Sequence, residues 1–190
     1  RAYHTAMSGR PGPVIIALPE NMLTEKTDKK PLEFIDQLMS APTTKDLAQF
    51  IEEIKEAKNP IVVLGGSIWS HEAEKDLISI SEMLGLTIIT SHRRQSYYNN
   101  LHKNYGGDLG LGVNPKLINR INNSDYLVLL GGRLSENPSQ GFTLLGIPEH
   151  NKKFIHIHPG SEEIGRIYKP HLGIVSNPIA FVNILNNALK

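Results

Sequence analysis

The 190 residues carry 20 Lys and Arg against 19 Asp and Glu, so nothing electrostatic selects nucleic acid or an anionic membrane as a partner. The chain has no cysteine, which excludes disulfides, thiolate metal sites and a Cys nucleophile and fits a reducing cytoplasm. No run approaches the roughly eighteen apolar residues of a membrane span, no signal-peptide pattern opens the chain, and the length suffices for one full core with extra segments.

Residues 1–23 begin with Arg1 rather than Met, which predicts a segment of a longer gene product. They hold a short helix-compatible run, then Ser8-Gly9-Arg10-Pro11-Gly12-Pro13, then Val14-Ile15-Ile16-Ala17-Leu18 and Pro19-Glu20-Asn21. The apolar run reads as a strand bounded by proline and glycine, one that lacks neighbours to satisfy its backbone. Residues 24–43 read as a linker. Lys26, Asp28, Lys29, Lys30 and Pro31 open it, Ala41-Pro42 close it, and the apolar cluster Leu32, Phe34, Ile35, Leu38 and Met39 predicts a docking turn. Thr44 is the predicted N-cap of a helix through Ala57 whose apolar face is Leu47, Ala48, Phe50, Ile51 and Ile54.

Asn59-Pro60-Ile61-Val62-Val63-Leu64-Gly65-Gly66 is the stretch on which the rest is built. Four apolar residues between a proline and a glycine pair predict a strand buried on both faces. After Ser67, residues 71–84 carry Ala73, Leu77, Ile80, Met83 and Leu84 at helical spacing. Strand, glycine turn and helix form the unit that aims a helix N-terminus at an anion, although glycines also suit a tight turn for steric reasons alone. Further strands are predicted at residues 86–90, 126–130, 154–158 and 172–175. A closing amphipathic helix is predicted over 178–189, with Phe181, Val182, Ile184, Leu185 and Leu189 inward. Strands end in small or polar residues: Gly65-Gly66, Thr90-Ser91, Gly131-Gly132 and His158-Pro159-Gly160. In an open parallel sheet the ligand crevice lies at those carboxyl ends.

Gly106-Gly107-Asp108-Leu109-Gly110-Leu111-Gly112 is the densest glycine stretch, either a close backbone approach to a ligand or a surface loop. With no clear strand ahead of it, it does not fit the dinucleotide pattern of strand, G-x-G-x-x-G and helix. Asn114-Pro115 behind it opens a helix carrying Leu117, Ile118 and Ile121. His92-Arg93-Arg94 reads as a phosphate contact or a solvated loop, and Arg133, after Gly131-Gly132, is the stronger cationic candidate. His156 and His158 share one strand face at a spacing metals use, but no third ligand is identifiable. No G-x-S-x-G elbow supports serine catalysis. Tyr97 and Tyr98 read as packing or lid residues.

Taken together these residues resemble the thiamine-diphosphate-dependent enzymes of the acetolactate synthase type, specifically their middle domain. Gly9-Arg10-Pro11-Gly12-Pro13-Val14 with Leu18-Pro19-Glu20 looks like the end of that family's pyrimidine-binding domain. Asn59-Pro60 to Gly66, Thr90-Ser91, the glycines up to Gly112, Ser124-Asp125, Gly132-Arg133, and His158-Pro159 with Glu162-Glu163-Ile164-Gly165 follow in family order. The resemblance spans essentially the whole chain. It implies a doubly wound, mostly parallel Rossmann-like α/β fold over residues 44–190, with residues 1–23 a remnant of the preceding domain and 24–43 a linker.

The resemblance also implies a parent that makes or breaks a carbon–carbon bond in 2-keto acids, using thiamine diphosphate and magnesium. The family's catalytic Glu belongs to the pyrimidine-binding domain, and its Gly-Asp-Gly and Asn to the diphosphate-binding domain. Gly106-Gly107-Asp108-Leu109 is not that motif. The expected partners are therefore those two domains, in a homo-oligomeric parent, and this segment is expected to be catalytically inert. Middle domains of the family hold FAD in synthases, or ADP, or nothing. By position Gly65, Gly66, Thr90, Ser91, Gly110 and Arg133 become the expected nucleotide contacts. Two departures turn the expectation from FAD towards an ADP-type or empty site: Leu134-Ser135-Glu136-Asn137 replaces the family's Phe-Asp-Asp-Arg, and His158 stands where an acidic residue is usual. A regulatory nucleotide-binding module without synthase activity, and a purely structural spacer, are the competing classes.

Overall fold

The computed structural model describes residues 1–33, 36 and 38–190. The four apolar residues after Pro60 form β1 (Ile61–Leu64), followed by β2 (Thr87–Ser91), β3 (Tyr105–Leu109), β4 (Tyr126–Leu130), β5 (Lys153–His158) and β6 (Leu172–Val175). These six strands make one sheet, every pair parallel, in the order β3-β2-β1-β4-β5-β6. The order reverses between β1 and β4, which places a crevice beyond their carboxyl ends.

Alternation along the strands sends side chains to two separate cores. Val62 and Leu64 pack on one face with Phe50 of α2 (Thr44–Glu56), Leu77 and Ile80 of α3 (His71–Leu84), and Phe181 and Leu185 of α5 (Pro178–Leu189). Ile61 and Val63 pack on the other with Leu117 and Ile121 of α4 (Pro115–Asn122) and with Leu134, Leu144 and Leu145. Both faces are thus covered, and this is why the strands read as continuous apolar runs. Phe50 and Phe181 meet edge to face with centroids 5.1 Å apart, a geometry worth about 1 kcal/mol beyond the area buried.

The helix starts follow capping chemistry. Thr43, one residue before the predicted cap, accepts at its hydroxyl from Asp46 N, and Thr43 N donates to the Asp46 carboxylate, closing a capping box. Asn114 and Asn177 cap α4 and α5, each with proline at the first helical position. Gly85 ends α3 in the left-handed conformation.

Three expectations are corrected. The glycine stretch does contain a strand, because Tyr105–Leu109 pairs with β2 as an edge, with a register irregularity at Ile88/Ile89. Gly106 lies there because a Cβ would come 2.8 Å from the methyl carbons of both Ile89 and Thr87. Residues 14–18 form no strand, since no described segment lies beside them to complete a ladder; they are exposed and without regular secondary structure after the short α1 (Ala2–Met7). In the linker, Leu32, Leu38 and Met39 are exposed rather than packed, and Phe34 and Ile35 fall outside the described residues. The segment instead docks through its backbone, Ser40 O accepting from Asn177 N at 2.9 Å.

Candidate functional site

Where β1 and β4 end, two glycine pairs touch. A Cβ on Gly65 would stand 2.6 Å from Gly132 Cα, and one on Gly132 3.0 Å from Gly65 Cα, so only backbone fits at this crossing. Gly65 N donates to Leu130 O and Gly131 N to Ile157 O, which carries the ladder one residue past the strands. Gly66 then turns at φ +83°, Gly131 at +76°.

The turn after β1 is pinned by its carbonyls. Trp69 Nε1 donates to Gly65 O at 2.9 Å, while Arg94 Nε and Tyr97 Oη both donate to Gly66 O, the latter at 3.1 Å. The Trp69 and Tyr97 rings lie 5.6 Å apart, and the Arg94 guanidinium sits 5.6 Å over Tyr97. With those carbonyls engaged, the amides of Gly66, Ser67, Gly132 and Arg133 have no acceptor among the described residues. Such amides, together with fixed cations, are what an anion needs.

These groups border a cleft of about 300 Å³ at the reversal of strand order. Gly66, Ser91 and Arg133 of the predicted contacts line it. Gly65 lies beneath as a spacer. Thr90 is fully buried, its hydroxyl 3.1 Å from Tyr105 Oη, so it braces β2 against β3 instead of facing the cleft. Gly110 lines a separate cavity of about 480 Å³ between β3 and α4, where a Cβ would meet Asp108 Oδ2 at 2.6 Å. Of the basic trio, His92 and Arg94 border the cleft and Arg93 does not. Tyr98 is a core residue whose hydroxyl lies 2.9 Å from both Ser81 Oγ and His102 Nδ1.

Arg10 and Pro11 also line the cleft, as do Asn137 and His158, which were not expected as contacts. Arg10 arrives through an ion pair with Glu163, 3.0 Å from Nη1 to Oε1 across a separation of 153 residues. No periodicity or short motif encodes such a pairing.

The two strand histidines contact backbone groups, and His158 also borders the cleft. His156 is buried, its Nε2 2.9 Å from Gly132 O, and burial pushes its pKa down to about 4 against the partial support of that hydrogen bond. His158 is lowered too, by burial first, with Nδ1 3.0 Å from both the N and O of Gly160. Among the described residues no group of three or more His, Cys, Asp or Glu side chains is placed to hold a metal.

A family model described as thiamine pyrophosphate enzyme, central domain, matches residues 47–185. The acetolactate synthase large subunit of Corynebacterium glutamicum is 25% identical over 180 residues, covering 93% of this chain and 28% of that protein. Glyoxylate carboligase of Escherichia coli O157:H7 is 25% identical over 188 residues, covering 97% of this chain and 31% of the relative. Benzoylformate decarboxylase from Polynucleobacter necessarius superposes with a TM-score of 0.76 at 18% identity, over 97% of this chain and 34% of that one. The chain thus spans about a third or less of the length of these proteins.

Proposed function

Because the chain belongs to the thiamine pyrophosphate enzyme central-domain family, we propose that it is the middle portion of a longer acetolactate synthase-like enzyme and that its cleft takes the diphosphate of an ADP-type nucleotide. The whole enzyme would form or cleave a carbon–carbon bond beside the carbonyl of a 2-keto acid. Thiamine diphosphate, with its magnesium, would act as the electron sink for that chemistry and be held by the neighbouring domains. Residues 1–23 would belong to the first of those neighbours and 24–43 would link it to this unit.

The observation that carries the nucleotide reading is the convergence, at the reversal of strand order, of unpaired backbone amides with Arg94 and Arg133. Guanidinium forks and backbone N–H groups suit phosphate oxygens. A volume of about 300 Å³ lies at the small end of ligand pockets, which suits a mononucleotide diphosphate better than an extended flavin dinucleotide. Leu134, in the position where the family's synthases have Phe, lines the cleft with an aliphatic side chain that also packs into the core, and so offers no ring to a ligand. The synthase, carboligase and decarboxylase names among the relatives favour part of an enzyme over a free-standing regulatory module.

Calorimetric titration with ADP, FAD and thiamine diphosphate tests the reading. Saturable ADP binding that weakens at least tenfold in Arg133→Ala, with thiamine diphosphate silent, is the expected result. A folded chain silent towards ADP and FAD would leave a structural domain in place of a nucleotide site.

A further inference from the structure

Three guanidinium groups meet on one oxygen atom at the border of the cleft. Glu163 Oε1 accepts from Arg10 Nη1 at 3.0 Å and from Arg166 Nη1 at 3.3 Å, and Arg133 Nη1 lies 3.6 Å away. The carboxylate side chain is only 6% exposed, whereas the arginines are 44% to 63% exposed. Each arginine engages this oxygen through a single nitrogen, and a guanidinium carries five donors, so most of each fork stays free for a second acceptor. Three arginines against one carboxylate also leave the cluster with excess positive charge. Without the carboxylate, three neighbouring cations would repel and separate.

The arrangement joins distant parts of the chain. Arg10 comes from the segment ahead of the linker, Arg133 from the turn after β4, and Glu163 with Arg166 from the short turn after β5. Arg10 and Arg133 line the cleft; Glu163 does not, lying behind them beside a small cavity that it shares with Arg133, Arg166 and His156. Building on the phosphate-binding reading of the cleft, we infer that Glu163 is a positioning residue: it gathers Arg10 and Arg133 at the cleft mouth and so makes a composite subsite for a diphosphate group. Arg10 neutralises the outer phosphate while Arg133 and the glycine-turn amides hold the inner one.

Removing a negative charge near an anion site should tighten binding if charge alone matters, whereas loss of a positioning residue should weaken it. The test is calorimetric titration of the full 190-residue chain with inorganic pyrophosphate, with thermal melting of every variant followed by circular dichroism. Glu163→Gln is expected to bind about tenfold more weakly than the wild type, and Glu163→Asp to fall between the two. Arg10→Ala should weaken binding to a similar degree, and Arg10→Ala combined with Glu163→Gln should be no worse than either alone. Equal or tighter binding by folded Glu163→Gln overturns the inference and leaves the nucleotide reading intact. Should Glu163→Gln fail to fold, undiminished binding by Arg10→Ala, whose exposed side chain leaves the core untouched, overturns it equally. Wild-type silence towards both pyrophosphate and ADP removes both readings, and pyrophosphate binding without ADP binding removes only the nucleoside.

Discussion

A histidine shut away from water can take up a proton only at the expense of the fold. His156 is such a group, with its pKa near 4 in the folded chain and near 6.5 once unfolded. Above pH 6.5 neither state is protonated and the residue adds no pH dependence. Between 6.5 and 4 the unfolded chain binds the extra proton, so stability falls as pH falls, by about 2 kcal/mol at pH 5. His158, lowered in the same direction, adds to the loss. Urea unfolding at pH 7.5 and pH 5 measures it, and His156→Gln, whose amide can still donate to Gly132 O, should show a shallower decline; parallel declines in the two proteins would sink the assignment. At this scale the sequence was partly legible. Arg133 could be picked out because a glycine pair marks a strand end and a cation follows it. Glu163 and Arg10 could not, since their pairing depends on the fold bringing together residues 153 apart. Thr90 misled because a strand's last residues alternate between facing the core and facing the crevice, and the alternation could not be phased before the neighbouring strand was known.

At the scale of elements, the glycines sort by what surrounds them rather than by spacing. Gly65 is held in place by contact: its Cβ would press on the Gly132 backbone, which cannot move without parting β1 from β4. Gly112 has open space and only a left-handed backbone, φ +70°. Gly65→Ala should therefore lower stability by about 3 kcal/mol and disturb the cleft. Gly112→Ala should cost about 1 kcal/mol and leave the cleft unchanged. Thermal melts of the two variants make the comparison, and a Gly65→Ala protein as stable as Gly112→Ala would show that the two turns do not pack as described. Helices and central strands were legible because burial on one stripe writes a period into the sequence and burial on both faces writes a continuous apolar run. α5 matches its predicted bounds for this reason, with Asn177 and Pro178 marking its start. The edge strand β3 left no such period. Its Gly106 and Gly107 exist to pass close to β2 and to turn, and a strand built partly of glycine looks like a loop until its partner is seen.

For the whole molecule, the unsettled surface is the segment ahead of the linker. The α/β unit closes both its cores, yet Val14, Ile15, Ile16 and Leu18 stand exposed, Ile15 at 93%, in a segment with no assigned secondary structure and no strand beside it among the described residues. An exposed apolar, β-branched run with N–H and C=O groups unpaired among the described residues is a template for another strand. If these residues complete a sheet of a neighbouring domain, as proposed for the parent enzyme, this chain on its own presents that edge to its own copies. Concentration-dependent association should follow and should depend on these side chains alone. Replacing Ile15 and Ile16 together by Lys leaves both cores untouched, so stability should change by no more than about 0.5 kcal/mol while the self-association seen by sedimentation velocity is abolished. The ion pair of Arg10 with Glu163 lies only a few residues upstream, so the same variant checks a second point. Pyrophosphate affinity should be unchanged if Arg10 is fixed by Glu163, and reduced if the position of Arg10 depends on the strand that follows it. Association that persists in the double variant would place the sticky surface elsewhere and remove the physical argument that residues 14–18 are an unpaired strand awaiting its sheet.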